Sequence, residues 1–452
     1  MERWLPEGAK TILNRFSNGG YEAYVVGGCV RDALMGIQPH DWDICTSALP
    51  EETMALFSDC AVHPTGIQHG TVLIVLEGVG YEVTTYRVDG SYTDHRHPQQ
   101  VSFVRSLKED LARRDFTINA MAWNPSQGLV DCFGGQADLT QKLIRCVGDP
   151  ARRFEEDGLR ILRGLRFAAR FGFALEEETA AALRQKASLL EDISAERILE
   201  ELKGILVSPG VEQILRDYRD VFAVVVPELK PMFDHPQYNY HHCYDVWEHT
   251  LHAVGGIEPE LPLRMTMLFH DAGKPRCFVR DAQGVGHFRG HPEESVKIAR
   301  TVLNRLHCDH KLRDNVLKLI EWHDRIRIFS RKNVWRMLAA LGETQSWQLF
   351  RVMRADIRAQ SPETQQEKLR GLRTGEAHLQ ALLAEHACCK LEDLAIDGKT
   401  LMDQGEVPGV RLGWLLEELL RAVMEDLVDN EEETLLSYYE AHLKAQSEPV
   451  LS

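Results

Sequence analysis

Apolar and polar positions divide this 452-residue chain into two textures. Up to about residue 148, helix-like and strand-like patterns alternate. Residues 9–18 space their apolar side chains as a helix does, and the turn Asn18-Gly19-Gly20 follows. Tyr24-Val25-Val26 then reads as a strand running into Gly27-Gly28. Thr71 to Leu76 and Tyr81 to Tyr86 are rich in β-formers, with Gly78 and Gly80 between them, the pattern of a hairpin. Beyond Asp149-Pro150 helical periodicity dominates nearly to the end. Pro227, Pro231 and Pro236 mark a boundary near 225–236, and Gln360-Ser361-Pro362 marks another. The expected class is α+β, with a mixed α/β head over 1–148 and helical segments at 149–225, 236–360 and 361–452.

Composition narrows the setting. The longest apolar runs, such as Phe222 to Val226, fall far short of the roughly 20 residues that cross a bilayer. The first residues, Met-Glu-Arg-Trp-Leu-Pro, lack the basic-then-apolar order of a signal peptide, so a cytoplasmic location without membrane attachment is expected. The ten cysteines include no Cys-x-x-Cys pair and read as reduced thiols. A formal charge of −16 opposes nucleic-acid phosphates. That charge is uneven, however. Arg145 to Arg170 holds seven arginines against four acids, Lys297 to Arg336 is also basic, and the acids gather in the last 30 residues. A local basic track on an acidic protein remains open.

Candidate chemistry begins at Gly27-Gly28-Cys29-Val30-Arg31-Asp32, where a strand enters a glycine turn that lets backbone approach a phosphate. Arg31 can add a charge-assisted bond to a triphosphate. Asp41-Trp42-Asp43 follows. On an extended chain its carboxylates face one side, as a pair able to hold Mg2+. Glu82 is either a third such carboxylate or a plain surface position. In Arg113-Arg114-Asp115-Phe116-Thr117-Ile118-Asn119-Ala120 the arginines suit phosphate oxygens, and Asp115 and Asn119 suit ribose hydroxyls. Farther on, in Glu156-Asp157-x-x-Arg160 with Arg163 and Arg166 on the same helix, Glu156, Arg160 and Arg163 share a face and Asp157 neighbours Arg160. One reading is an exposed Glu–Arg pair. The other is base readout, with a carboxylate accepting from the exocyclic amine of C or A and arginine donating to the adjacent ring nitrogen.

Together with His69-Gly70-Thr71-Val72, these motifs occur in the order of class II tRNA nucleotidyltransferases, the CCA-adding enzymes of the polymerase-β superfamily, which the first half of the chain resembles. The resemblance implies that Asp41 and Asp43 are catalytic and hold Mg2+. It implies that Gly27, Gly28, Arg31, Arg114, Asp115 and Asn119 bind the nucleotide, and that Asp157 and Arg160 read the base with Arg163 and Arg166 beside them. It further implies CTP, ATP and tRNA as partners. The stretch Asp89 to Pro98 resembles the loop that permits the switch to ATP, although His97 stands where the family has a second arginine. Addition of C, C and A is therefore expected. An A-only enzyme, a bacterial poly(A) polymerase, and a phosphohydrolase or RNA-binding protein with an inert head are the alternatives.

A second set lies in the helical half. His249 in Asp245-Val246-Trp247-Glu248-His249, His270-Asp271 in Leu268-Phe269-His270-Asp271-Ala272-Gly273-Lys274, and Asp356 resemble the ligands of the HD phosphohydrolase superfamily. His291 and His323 bring the candidates to six, enough for two metal ions. Imidazole and carboxylate donors suit Mn2+, Fe, Ni2+ or Mg2+ better than thiolate-loving metals. The resemblance implies phosphatase or cyclic phosphodiesterase activity over 236–360, with a degenerate fold kept as a tRNA-binding body as the alternative, and 361–452 as a tRNA-binding tail.

Overall fold

The computed structural model describes residues 1–89 and 101–446 and divides the chain into two compact units. The first comprises Met1–Lys230 with Val302–Cys308, the second Pro231–Thr301 with Asp309–Ser452. The loop-like stretch up to Pro98 lies, apart from Asp89, outside the described residues. No described helix is long and apolar enough to cross a membrane, and all ten cysteines are free.

In the first unit, α1 (Glu7–Asn18) leads to β1 (Ala23–Val26), α2 (Gly28–Leu34), β2 (Ile44–Thr46), α3 (Pro50–Leu56), β3 (Ala61–Gly66), β4 (Thr71–Leu76) and β5 (Val79–Thr85). Then come β6 (Arg87–Asp89), β7 (Val101–Phe103), α4 (Leu107–Ala112), β8 (Met121–Asn124), β9 (Gly128–Asp131) and α5 (Gly135–Gln141). Seven strands form one sheet in the order β3-β4-β5-β2-β1-β8-β9, and β6 pairs with β7. β2 and β5 run parallel, while the other sheet neighbours are antiparallel. All four residues of β1 are buried because both faces are covered. Val25 joins Ile12, Phe16, Ile44 and Ile74 on one face, and Tyr24 and Val26 join Cys45, Tyr86 and Leu111 on the other. The expected hairpin is β4–β5.

The unit continues through β10 (Leu143–Ile144), α6 (Pro150–Glu156), α7 (Arg160–Phe171), β11 (Ala174–Leu175), α8 (Glu177–Gln185), α9 (Ala195–Leu206), α10 (Val211–Asp217) and α11 (Arg219–Val225). α7 buries an apolar face that includes Ile161, Leu165 and Ala168, and it packs on α9.

The second unit holds α12 (Val246–Gly255), α13 (Leu261–Phe269), α14 (Lys274–Cys277), α15 (His291–Arg305), α16 (His310–Trp322), α17 (Arg331–Arg358) and α18 (Pro362–Ala384). The last turn of α15 belongs to the first unit. α19 (Gly398–Asp403), α20 (Val410–Met424) and α21 (Glu432–Tyr438) close it. The motif around Ile396 has a local structural role. Asp397 caps α19 by accepting from Thr400 N at 2.9 Å, and Asn430 bonds Ala395 N and Asp393 O.

Candidate functional site

Asp41, Trp42 and Asp43 form the segment that leads into β2, which begins one residue later than the motif. Trp42 is buried and both aspartates are exposed, so the carboxylates leave the chain on one side. β5 sets Val83 opposite Ile44, which brings the exposed Glu82 alongside Asp43. Partial desolvation, Glu82 and Asp41 push the pKa of Asp43 up, and Arg114 counteracts them. Three carboxylates and one arginine therefore share this end of the sheet, an all-oxygen donor set that suits Mg2+.

Gly27 fixes Arg114 there. It joins β1 to α2 at φ 82° and ψ −125°, and a Cβ on it would fall 2.8 Å from Arg114 Nη1. Glycine meets both the backbone angle and the close approach. Gly28 follows as the first residue of α2. Arg31, one turn on, points inward. It donates to Asn119 Oδ1 at 2.5 Å and Asp32 Oδ1 at 2.8 Å, and it stacks over Phe171 at 4.8 Å.

Asn119 continues a buried network. Its amide donates to Asp115 Oδ1 at 3.2 Å, and Asp115 Oδ2 accepts Arg163 Nε and Nη2 at 2.9 and 2.7 Å. Arg163 and Arg166 both reach Glu201 on α9, at 3.9 and 2.6 Å. Burial alone would raise the Asp115 carboxyl, but Arg163 and the bond from Asn119 outweigh it and bring it from 3.8 down to about 2. A carboxyl held this low stabilises the fold above its unfolded pKa, and that contribution is lost as pH falls from about 4 to 2. It amounts to roughly 2 kcal/mol at neutral pH. Asp115→Asn is expected to cost about that much in urea unfolding at pH 7, and the gap to wild type should narrow as pH falls through this window. A gap independent of pH would argue against the ion pair.

The segment expected to read the base differs from the helix face expected for it. α6 ends at Glu156, Asp157 is extended, and α7 begins at Arg160. Asp157 ends the helix because its side chain accepts from Leu159 N at 3.1 Å, a turn that competes with helix continuation. Its other oxygen accepts Arg197 Nη2 from α9 at 2.9 Å. Arg160 donates to Glu156 at 2.8 Å and to the carbonyls of Arg153 and Arg113, at 3.1 and 3.2 Å. The side chains of Asp157 and Arg160 thus have separate partners, while Arg160 N donates to the Asp157 carbonyl at 3.0 Å. The Glu156–Arg160 pair forms, but it is largely buried. The sequence reading missed Arg197 and Glu201. Their signal was only two charges on the polar side of an amphipathic helix. The basic stretch 145–170 is mostly engaged too, since six of its seven arginines form ion pairs among the described residues.

In the second unit all six candidate ligands converge. His249 lies on α12, His270-Asp271 ends α13, His291 opens α15, His323 ends α16, and Asp356 lies on α17. Each ring gives its Nδ1 to a carbonyl: His249 to Ala359 at 3.1 Å, His270 to Met267 at 2.7 Å, His291 to Phe288 at 2.9 Å and His323 to Ile320 at 2.6 Å. A carbonyl only accepts, so Nδ1 carries the proton and each ring, when neutral, turns an Nε2 lone pair inward. His249 and His270 Nε2 lie 3.3 Å apart, and His291 and His323 Nε2 lie 3.2 Å apart. Facing lone pairs repel unless a proton or cation intervenes. Asp271 serves both pairs, with Oδ2 3.2 Å from His249 and Oδ1 3.3 Å from His291. Asp356 Oδ1 is 3.0 Å from His249. The donors form two buried clusters, His249-His270-Asp271 and Asp271-His291-His323. Gly273 allows this closure, because a Cβ there would meet His291 O at 2.5 Å and Ser295 N at 2.6 Å.

Three family models match the chain. Residues 23–145 match the poly A polymerase head domain, 172–233 the "Probable RNA and SrmB- binding site of polymerase A", and 294–439 the tRNA nucleotidyltransferase domain 2. A CCA-adding enzyme of Enterococcus faecalis is 34% identical over 433 residues, which is 95% of this chain and 94% of that protein. This chain belongs to the CCA-adding enzyme family. A CCA-adding enzyme of Limosilactobacillus fermentum is 52% identical over 206 residues, 46% of this chain and about half (51%) of that relative. The crystal structure of a Bacillus stearothermophilus CCA-adding enzyme in complex with CTP superimposes with a TM-score of 0.73 at 29% identity, covering 96% of this chain and 98% of that one. The family fold is thus the one expected, a mixed sheet head followed by helices. His249, His270, Asp271 and His291 fall between the second and third family models, whereas His323 and Asp356 lie within the third.

Proposed function

We propose that this chain adds C, C and A to tRNA 3′ ends from CTP and ATP without a template. The observation that carries this reading is the meeting of Asp41, Asp43, Glu82 and Arg114 beside the Gly27 turn in a chain of the CCA-adding family. In the reaction the terminal 3′-hydroxyl releases its proton to solvent, its oxygen bonds to the α-phosphorus, the α–β phosphate link breaks, and pyrophosphate leaves. A divalent cation held by Asp41 and Asp43 would make the hydroxyl a better nucleophile and offset charge on the leaving group. Arg114 faces the triphosphate. The network from Arg31 through Asn119, Asp115 and Arg163 to Glu201 holds the sheet end against α7 and α9. Asp157 and Arg160 read the base once they exchange their present partners, Arg197 and Glu156. Asp157→Ala is then expected to lose roughly 1–3 kcal/mol of discrimination against GTP and UTP, measured as kcat/KM for each nucleotide on tRNA lacking CCA. Unchanged selectivity would refute base readout.

A second reading concerns the second unit, which we propose is a metal-dependent phosphohydrolase. The inward-turned Nε2 atoms around Asp271 support it. His249, His270, Asp271 and Asp356 would hold one divalent ion, and Asp271, His291 and His323 would hold a second. Such a centre would supply an activated water at neutral pH. The water oxygen bonds to phosphorus, the ester P–O bond breaks, and the departing alcohol takes the proton.

A further inference from the structure

The centre around Asp271 opens on a cavity of about 1130 Å³. α18, assigned from the sequence to the tail beyond residue 360, forms part of its wall through Lys368, Gly371 and Thr374. Phe288, Phe329 and Met353 supply an apolar side.

The charges lining this cavity nearly cancel. Asp271 is met by Lys274 at 2.7 Å, and Lys274 also donates to Gln237 at 2.9 Å, so its ammonium is committed. Asp324 is met by Arg327 at 3.6 Å. Glu367 and Arg289, both exposed, offset each other in sum. Asp356 and Lys368 remain. Lys368 is half-buried, and the partner it has among the described residues is the neutral Gln360, whose amide donates to Asp356 Oδ2 at 3.1 Å. Its ammonium therefore has no carboxylate of its own, which sets it apart from Lys274. With the side chains balanced, the charge of any bound divalent ion is left for the substrate to neutralise. A phosphomonoester dianion offsets twice as much of this charge as a singly charged phosphodiester does.

We propose that Lys368 is the substrate-gripping residue of this cavity and makes it specific for phosphomonoesters, with the ester's organic group against Phe288, Phe329 and Met353. This rests on reading the second unit as a phosphohydrolase. Lys368 donates to a phosphoryl oxygen, and its stem stays packed on α18.

The test uses the full chain loaded with Mn2+, as wild type, Lys368→Ala, Lys368→Arg and His249→Ala. Four readouts are needed: metal content by plasma mass spectrometry, calorimetric binding of inorganic phosphate, hydrolysis of p-nitrophenyl phosphate against bis(p-nitrophenyl) phosphate, and CTP incorporation as a check on folding. Lys368→Ala is expected to keep wild-type metal content, weaken phosphate binding and raise KM for the monoester about tenfold or more, the weight of one charge-assisted bond. KM for the diester should change little, and Lys368→Arg should restore phosphate binding. Loss of metal in Lys368→Ala would make the lysine a support for Asp356 through Gln360 and overturn the proposal. Equal effects on monoester and diester, or no effect on phosphate binding, would also overturn it. If wild type retains no more Mn2+ than His249→Ala, the phosphohydrolase reading itself fails. If metal and phosphate bind but neither ester is cleaved, hydrolysis fails while the binding role of Lys368 stands on the calorimetry.

Discussion

Replacing Asp41 and Asp43 together by alanine is expected to lower incorporation of CTP and ATP at least about a thousandfold, roughly 4 kcal/mol of barrier, while tRNA affinity stays near wild type. The two side chains share one exposed side of the segment before β2, and Trp42 between them anchors the backbone in the core. Alanine at both positions therefore removes the oxygen donors without disturbing the sheet. Glu82 alone, on the neighbouring β5, keeps a single carboxylate where a divalent ion needs several. Relief of like-charge repulsion should make the variant no less stable, so a loss of activity cannot be put down to unfolding. Single-turnover incorporation of labelled nucleotide, with filter binding of tRNA alongside, measures both quantities. Incorporation within about tenfold of wild type would refute the metal assignment.

Asp271→Asn is expected to have the largest effect in the second unit. It should remove most bound Mn2+ and destabilise that unit by about 3 kcal/mol or more. Asp271 is the residue common to both donor clusters, and the amide keeps its shape while losing the charge that draws cations. The same change strips Lys274, which is only 5% exposed, of its carboxylate. A buried charge left without its partner typically costs 3–5 kcal/mol. Metal content after dialysis and the thermal midpoint of the metal-free protein report the two effects separately. Full metal content in Asp271→Asn would remove the case for a centre there.

What was legible in the sequence was local. Tyr24 to Gly28 reads as strand and turn because β-formers stop at paired glycines, and the Asp-x-Asp spacing places two carboxylates on one side of any extended segment. The six candidate ligands of the second unit were legible as a set because His and Asp occupy motif positions, and His270, Asp271, His291 and His323 lie at helix ends. What escaped was set by tertiary contact. Arg197 and Glu201 lie 35–40 residues from their partners on α7 and at Asp157, and nothing in their own helix distinguishes them from solvated charges. The break after Glu156 escaped because Asp157 chose a turn through its own side chain, a choice that helical periodicity does not record. Lys368 escaped because the breaker Gln360-Ser361-Pro362 reads as a domain edge. In the structure that edge is only the bend at which α17 gives way to α18, and both helices line one cavity.

The most direct test is to incubate the purified chain with Mg2+, CTP and ATP on tRNA lacking its last three nucleotides and to sequence the 3′ ends formed. The result expected is C, C and A added in that order and no further. Tails of adenosine alone, or extension only of tRNA that already ends in CC, would contradict it.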